Sequence, residues 1–247
     1  MCDPSTIELF GLPLVNASSL AALDWLEARL TAKHKTTAYF INAHCINQTY
    51  NSGYSAALRR ATLLLPDGSG LAIAARLRGH RFVANLNGTD LVPQLCGRLA
   101  RSGGSVFLLG AAPGVAEAAA AGLAVRYPGL RIAGACNGYF TPEEEPGVIA
   151  AINTARTDLL LVAFGVPKQE LWIDRHLAAL DVGVAMGVGA LFDFVAERAP
   201  RAPLTLRRLG LEWLYRLYHE PRRLWRRYLI GNANFLIRAV MDALRAR

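Results

Sequence analysis

No uninterrupted apolar stretch in this 247-residue chain reaches the roughly 18 to 20 residues that a membrane-spanning helix needs, although 53% of its residues are apolar and the mean hydropathy is +0.23. A spanning helix is therefore not expected, while contact with a membrane surface stays open. The opening MCDPSTIELFG has no basic segment ahead of an apolar one, so no secretion signal is expected. Cysteine is sparse and scattered: Cys2, Cys45, Cys96 and Cys136 show no CxxC or metal-type spacing, which points to a reducing compartment over a disulfide framework. Neither GxGxxG nor GxxxxGK[ST] occurs, and Gly110-Ala-Ala-Pro-Gly114 has the wrong spacing, so the NAD, kinase and NTPase classes drop out. His44 and His176 lack ligand-type neighbours and Asp67 has no partner acid in a DxD pair. No metal and no cofactor are expected. Acidic residues are scarce near the end: from Arg198 to Arg247 there are 12 arginines and 3 acids, net +9, whereas the preceding part is net −1.

The most informative stretch is Thr62 to Gly70, TLLLPDGSG. An apolar β-type run stops at Pro66-Asp67-Gly68, and Ser69-Gly70 open a helix-like LAIAARLRG. A carboxylate thus stands where a strand hands over to a helix, the position at which open parallel sheets bind ligands. Asp67 is the leading candidate for a reactive group; the alternative is an ordinary turn or cap residue.

In chain order, Ile7 to Val15 predicts a strand or strand pair, and Ser18 or Ser19 can cap a helix over Leu20 to Leu30. TTAYFIN (Thr36 to Asn42) is a strand ending in polar groups, and a helix is expected from there to about Arg60. NLNGTD (Asn85 to Asp90) is a polar turn leading into a helix near Leu91. SVFLLG (Ser105 to Gly110), Leu130 to Ala135, DLLLVAFG (Asp158 to Gly165) and Val182 to Gly189 are further strands, separated by helical segments. Continuous rather than alternating apolar strands mean a sheet buried on both faces. The expected fold is α/β, a doubly wound, mostly parallel, Rossmann-like core over residues 1–196.

Residues 197–247 read as a helical, arginine-rich appendage. Leu209, Trp213, Leu214, Leu217 and Tyr218 recur at helical spacing, Pro221 can begin a second helix carrying Arg222, Arg223, Arg226 and Arg227, and Gly231 is expected to stop it before a last helix capped by Asn232 or Asn234. The alternation of Arg with Leu, Trp and Tyr suits an interfacial helix on anionic lipid or closure over a site. Plain packing and nucleic-acid binding are the alternatives.

Five strand ends carry polar or glycine-rich termini: Asn42, Asp67-Gly68, Gly110, Gly165 to Glu170, and Gly187 to Gly189. Glycines there let backbone N–H groups approach a ligand, and helix N-termini favour phosphate, so a phosphorylated small molecule or nucleotide fits. Lys168 and Gln169 stand where a helix would begin, either contacting a diphosphate or a sugar hydroxyl or simply facing solvent.

The motifs PDGSGLAIAARLRG, NGTD, VFLLGAAPGVAE, YPGLRIAGACNGYF, LLLVAFGVPKQELWI, GVGALFDFVAERAPRAP and LEWLYRLYHEPRRLWRRYLIGN, in this order over about residues 40 to 240, resemble the WecG/TagA/CpsF family, glycosyltransferase family 26. The resemblance implies an inverting, metal-independent bacterial glycosyltransferase. It would move a sugar from a UDP-sugar to a polyprenyl-diphosphate-linked acceptor on the cytoplasmic face of the membrane, in surface polysaccharide synthesis. It further implies peripheral membrane attachment, homo-oligomers and no nucleic-acid partner. By the same resemblance Asp67 matches the general base, Gln169 the PxQE glutamine, and Asn42 the asparagine of an early T-x-N motif. Tyr139 and Asp193 fall in pocket-lining motifs, and Gly68, Gly110, Gly165 and Lys168 join the binding rim. Basic residues of the appendage are expected to face the leaving diphosphate: Arg216, Arg223 and Arg226, with Arg222 and Arg227 as substitutes. Two positions depart from the pattern, Phe40 at the T-x-N threonine and Asn85 at an arginine before the G-x-D motif. They leave the donor open between UDP-N-acetylmannosamine and a UDP-hexose or hexuronic acid. The non-enzymatic rival is a nucleotide-sugar-binding or scaffold protein of a polysaccharide assembly.

Overall fold

The computed structural model describes residues 3–245; Cys2 lies outside them. One eight-stranded sheet runs through the molecule in the order β1-β2-β4-β3-β8-β7-β5-β6. Its strands are β1 (Thr6–Leu9), β2 (Leu12–Val15), β3 (Thr36–Ile41), β4 (Leu63–Pro66), β5 (Ser105–Gly110), β6 (Arg131–Cys136), β7 (Leu159–Ala163) and β8 (Val184–Gly187). β1 and β2 form an antiparallel hairpin; every other pairing is parallel. All residues of β3, β4, β5, β7 and β8 are buried, because both faces of the sheet are covered.

Alternate residues of each strand feed two cores. Leu159, Leu161 and Ala163 of β7 join one core with α1 (Ser19–Thr31), α5 (Gly88–Ser102), α6 (Val115–Arg126) and α9 (Leu191–Val195). Leu160 and Val162 join the other, with α2 (Ala43–Gln48), α3 (Ser52–Arg60), α4 (Ser69–Leu77), α7 (Glu145–Thr154) and α8 (Lys168–His176). The stretch expected as one helix up to Arg60 is two, α2 and α3. Asn51 interrupts the backbone and caps α3, its side chain accepting from Tyr54 N at 3.1 Å. Ser18 caps α1 as anticipated.

After α9 the chain forms α10 (Leu204–Arg208), α11 (Glu212–His219) and α12 (Pro221–Trp225). It then passes through one wide π turn (Arg226–Ile230) straight into α13 (Gly231–Arg245). The expected stop at Gly231 does not occur: its backbone is helical and its N–H bonds to the Arg226 carbonyl, the i→i−5 pattern of the π turn. With the helix continuous, neither Asn232 nor Asn234 has an end to cap. Asn47 Nδ2 of α2 donates to the Gly231 carbonyl at 2.7 Å.

α13 packs into the second core. Phe235 and Ala239 are fully buried there, Phe235 stacking on Phe10 at 5.6 Å. Asp242 accepts from the Phe10 N–H and pairs with Arg78 at 2.8 Å, and Arg238 donates to the Ile46 carbonyl and to Thr49. The sequence changes character after Ala196, yet the last helix covers the same sheet as the body.

Candidate active site

The five strand ends singled out above belong to β4, β3, β8, β7 and β5, which are consecutive in the sheet. These strands are parallel, so their carboxyl ends form one rim, about 19 Å from first to last at ~4.8 Å per strand. Ile41 pairs with Pro66, and the Asp67 N–H extends the ladder by bonding to the Ile41 carbonyl at 2.7 Å. Asn42 and Asp67 therefore leave the sheet side by side.

Asn42 caps α2, its Oδ1 accepting from the N–H groups of His44 and Cys45 at 3.0 and 3.2 Å. The Asn42 side chain also acts on the neighbouring Asp67 carboxylate, favouring its charged form. Gly68 follows at φ +95°, a conformation open to glycine, and its N–H donates to Asn85 Oδ1 at 2.7 Å. Asn85 thus fixes the turn that carries Asp67. Leu86 N–H bonds to the Pro66 carbonyl at 2.8 Å and holds the same loop against β4.

Asp67 is half-buried, and burial raises its carboxyl to about 6. Glu212, from α11, pushes in the same direction; Arg227, the Asn42 amide and Arg216 oppose. Burial and Arg227 together lower His44 to about 4. Three charged groups from the segment after Ala196 therefore act on the strand-end carboxylate: Glu212, Arg227 and Arg216.

The segment is set over the rim at three points. Arg201 and Arg207 reach Asp90 at 2.6 and 3.2 Å, Ser69 Oγ donates to the Gly210 carbonyl at 3.2 Å, and Asn47 holds Gly231. Gly210 lies directly on Ser69, two residues from Asp67, and Glu212 and Arg216 follow at i and i+4 on α11.

The appendage arginines divide differently from the expectation. Arg216 lies over the Phe194 ring at 5.3 Å and lines a cavity of about 170 Å³ with Asp193, Arg198, Glu220 and Arg223. Arg223 is paired with Glu220 at 2.7 Å. Arg226 is exposed, resting on Trp225 at 5.3 Å, while its neighbour Arg227 turns inward with a buried Nε that has no hydrogen-bond partner among the described residues. Consecutive residues project roughly 100° apart on a helix, so Arg226 faces solvent while Arg227 faces inward.

Other expected residues sit elsewhere on the rim. Gly110 (φ +126°) is pressed against β7: a Cβ there would meet the Ala163 backbone at 2.7 Å, so its role is close strand approach. Gly165 (φ +77°) ends β7, and Lys168 is exposed at the start of α8. Gln169 does not face the rim opening. It is 3% exposed, its Oε1 accepting from Gly189 N at 3.0 Å and its Nε2 donating to Glu170 at 2.8 Å. Tyr139 is 76% exposed and belongs to a separate pocket of about 370 Å³ at β6 and α7, with Phe107, Cys136, Phe140 and Glu144. Phe40 is 7% exposed in the first core, its ring against Gly88, so the side chain at the T-x-N threonine position is taken up by packing.

Sequence reasoning missed Glu212 and Glu170, ranked Arg227 behind Arg226, and took NGTD only as a turn. Asn87 does cap α5, but Asp90 is also the anchor of Arg201 and Arg207. Among the described residues no three His, Cys, Asp or Glu side chains converge on a metal-sized site, and no helix is long and apolar enough to cross a membrane.

Comparison with known proteins gives a consistent result. Residues 7–247 match the family described as the glycosyl transferase WecG/TagA/CpsF family. The chain is 30% identical over 226 residues to a protein of Bacillus subtilis named N-acetylglucosaminyldiphosphoundecaprenol N-acetyl-beta-D-mannosaminyltransferase, covering 91% of this chain and 87% of the relative. It is 35% identical over 179 residues to a protein of Bacillus spizizenii with the same name, covering 72% and 68%.

Proposed function

The chain belongs to the WecG/TagA/CpsF family of glycosyl transferases, and from that premise we propose that Asp67 is the base of an inverting transfer from a UDP-sugar to a sugar on a polyprenyl diphosphate. The observation that carries the reading is the setting of Asp67. It is a strand-end carboxylate raised to about 6 and faced by Arg216 and Arg227 from the covering segment.

The chemistry asks for both features. As the acceptor hydroxyl oxygen attacks the anomeric carbon, its proton passes to an Asp67 Oδ, and the bond from that carbon to the diphosphate oxygen breaks. A base poised slightly below neutral pH is ionised in the cell yet basic enough to accept the proton. The departing diphosphate gains negative charge, and the guanidinium groups of Arg216 and Arg227 face it, with Arg198 and Arg223 lining the adjoining cavity. Asn42 and Asn85 hold the base in place through its carboxylate and its turn. Opposite developing charges are thus met by preorganised groups rather than by water.

The relatives' names describe a β-linked product on N-acetylglucosaminyldiphosphoundecaprenol. From them we carry over the acceptor class, a sugar on a polyprenyl diphosphate; the nucleotide donor and inversion are what the family resemblance implies. The donor sugar is N-acetylmannosamine or a UDP-hexose or hexuronic acid. We assign the outward face of the segment after Ala196 to the cytoplasmic membrane surface. Leu209, Leu214, Tyr218, Trp225 and Leu229 are exposed there beside Arg222, Arg223 and Arg226, the composition of an interfacial helix.

The test is UDP release from a panel of UDP-sugars, with and without a synthetic polyprenyl-diphosphate-sugar and across chelator concentrations, for the wild type and Asp67→Asn. Acceptor-dependent, chelator-insensitive release from one donor is expected, reduced by roughly two or more orders of magnitude in the variant. Undiminished transfer by Asp67→Asn would remove this residue from the mechanism.

A further inference from the structure

Glu170 is fully buried, beside a glutamine whose amide is wired into the rim. Its Oε1 accepts from Gln169 Nε2 at 2.8 Å, its Oε2 has no partner among the described residues, and Gln169 Oε1 accepts from the Gly189 N–H at 3.0 Å. Gln169 occupies the space a side chain at position 187 would need, since a Cβ on Gly187 would lie 2.8 Å from Nε2. The chain of contacts Glu170–Gln169–Gly189 thus ends on the turn that follows β8, and β8 is the strand next to β3 and its terminal Asn42.

An amide side chain can sit in two orientations, and its partners decide which. A Gly189 N–H opposite Gln169 demands the oxygen there. An acceptor-only carboxylate on the other side demands the NH₂ there. The two demands agree only while Glu170 is an acceptor. If Glu170 carries a proton and donates it, the amide is drawn towards the flipped orientation, which sets N–H against N–H at Gly189. We propose that Glu170 is a positioning residue that acts through Gln169 to hold the Gly187–Gly189 turn in the shape transfer requires. This rests on the function proposed above.

The surroundings make this carboxylate an unusual choice for mere support. The groups facing it are Tyr39 of β3, Cys45 of α2 and Tyr54 of α3, all buried and none cationic. Burial pushes Glu170 up to about 7, and the bond from Gln169 only partly offsets this. Glu170→Met removes a buried carboxylate oxygen without a partner but leaves the buried Gln169 Nε2 without its acceptor, so a purely structural role predicts a change in stability and no change in the kcat/KM pH profile of the folded protein.

The experiment uses the full chain as wild type, Glu170→Met and Glu170→Gln. In the Met variant kcat/KM is expected to fall on the order of tenfold or more below its melting transition, because the turn is displaced. The Gln variant, which still offers an acceptor, stays within several-fold. On the acid side, wild-type log kcat/KM shows a bounded step near pH 7, no larger than the loss in the Met variant, ahead of the slope-one limb of Asp67 near 6; both variants keep the limb and lack the step. Independently of activity, the Gln169 side-chain amide resonance in the wild type shifts with a midpoint near 7 and stops doing so in Glu170→Gln. A Met variant with wild-type kcat/KM and pH profile overturns the inference, as does a Gln169 resonance that is flat across the titration. Absence of transfer in the wild type, with the resonance still titrating, would count against the proposed reaction and leave the Glu170–Gln169 coupling standing.

Discussion

The body and the segment between Ala196 and α13 solve different problems with different materials. In the body, polar groups at the rim are fixed by strand ends: Asn42 and Asp67 emerge from neighbouring ladders, and Asn85 ties the Gly68 turn. In the segment, α11 and the π turn contain no buried residue, and Leu224 is the buried residue of α12. What holds it down is a small set of polar contacts at Asp90, Ser69 and Asn47. The proposed base is therefore rigidly mounted, while the cations that face it ride on a cover with little burial of its own. Elements of that kind open at low cost, so under the proposed function such opening would separate substrate entry from charge neutralisation.

α13 is the place where this contrast is most easily broken, since it follows the cover in sequence but packs like the body. Phe235 is fully buried against Phe10 and Gly70. Phe235→Ala is expected to cost about 3–5 kcal/mol of global stability, measured by denaturant unfolding. A loss below about 1 kcal/mol would make α13 part of the cover.

The next largest effect sharpens the contrast within the cover. Arg216→Ala and Arg227→Ala should each lower kcat by about 10²–10³, the scale for removing a preorganised charge partner, with melting temperature unchanged. Arg226→Ala, whose side chain lies on Trp225 in solvent, should stay within a few-fold. Equal losses at Arg226 and Arg227 would show that the packing of the helix does not select between them.

The division also marks what could be read from sequence. The strands, the two-sided burial and the five rim termini were legible because each is a local pattern: an apolar run, then Asn, Asp-Gly or Gly. That those termini are neighbours follows from the strand order, which local patterns do not carry. The inward turn of Arg227 was hidden because the run Arg226-Arg227 offers two neighbouring cations and only the packing of the helix says which one faces inward. Spacing left Gln169 between a ligand contact and a solvent-facing helix start, and neither reading anticipated an amide buried between Gly189 and Glu170. Glu212 was missed because it meets Asp67 only through the contact of Gly210 with Ser69, across 141 positions of chain.

Glu212 supplies a smaller effect that crosses the divide. It adds to burial in raising Asp67, so Glu212→Gln should move the Asp67 limb of the kcat/KM profile to lower pH, by up to about one unit. The sign is fixed: removing a negative neighbour favours the charged base. A limb that moves to higher pH, or not at all, would separate α11 from Asp67.

The smallest expected change is at Asp90. Burial alone would raise this carboxyl, but the bonds from Asn87 and Arg201 and the charge of Arg207 hold it below the usual carboxylate range. A depressed carboxylate contributes stability that is present above its unfolded value of 3.8 and is lost as pH falls through the lower folded value. At neutral pH the latch is therefore fully formed. Its side chain is 44% exposed, and solvent screening keeps the contribution to no more than about 1 kcal/mol. Asp90→Asn leaves the shape intact and removes the charge, so global unfolding should barely change. Because the cover has few other anchors, even ~1 kcal/mol corresponds to about a fivefold change in its open population. Tryptic cleavage within residues 203–230 should quicken by about that factor, and 1 M salt, which screens the same contact in the wild type, should narrow the gap between the two proteins. An unchanged cleavage rate would mean that burial of Ala202 and Leu224, rather than the Asp90 pair, holds the cover on the rim.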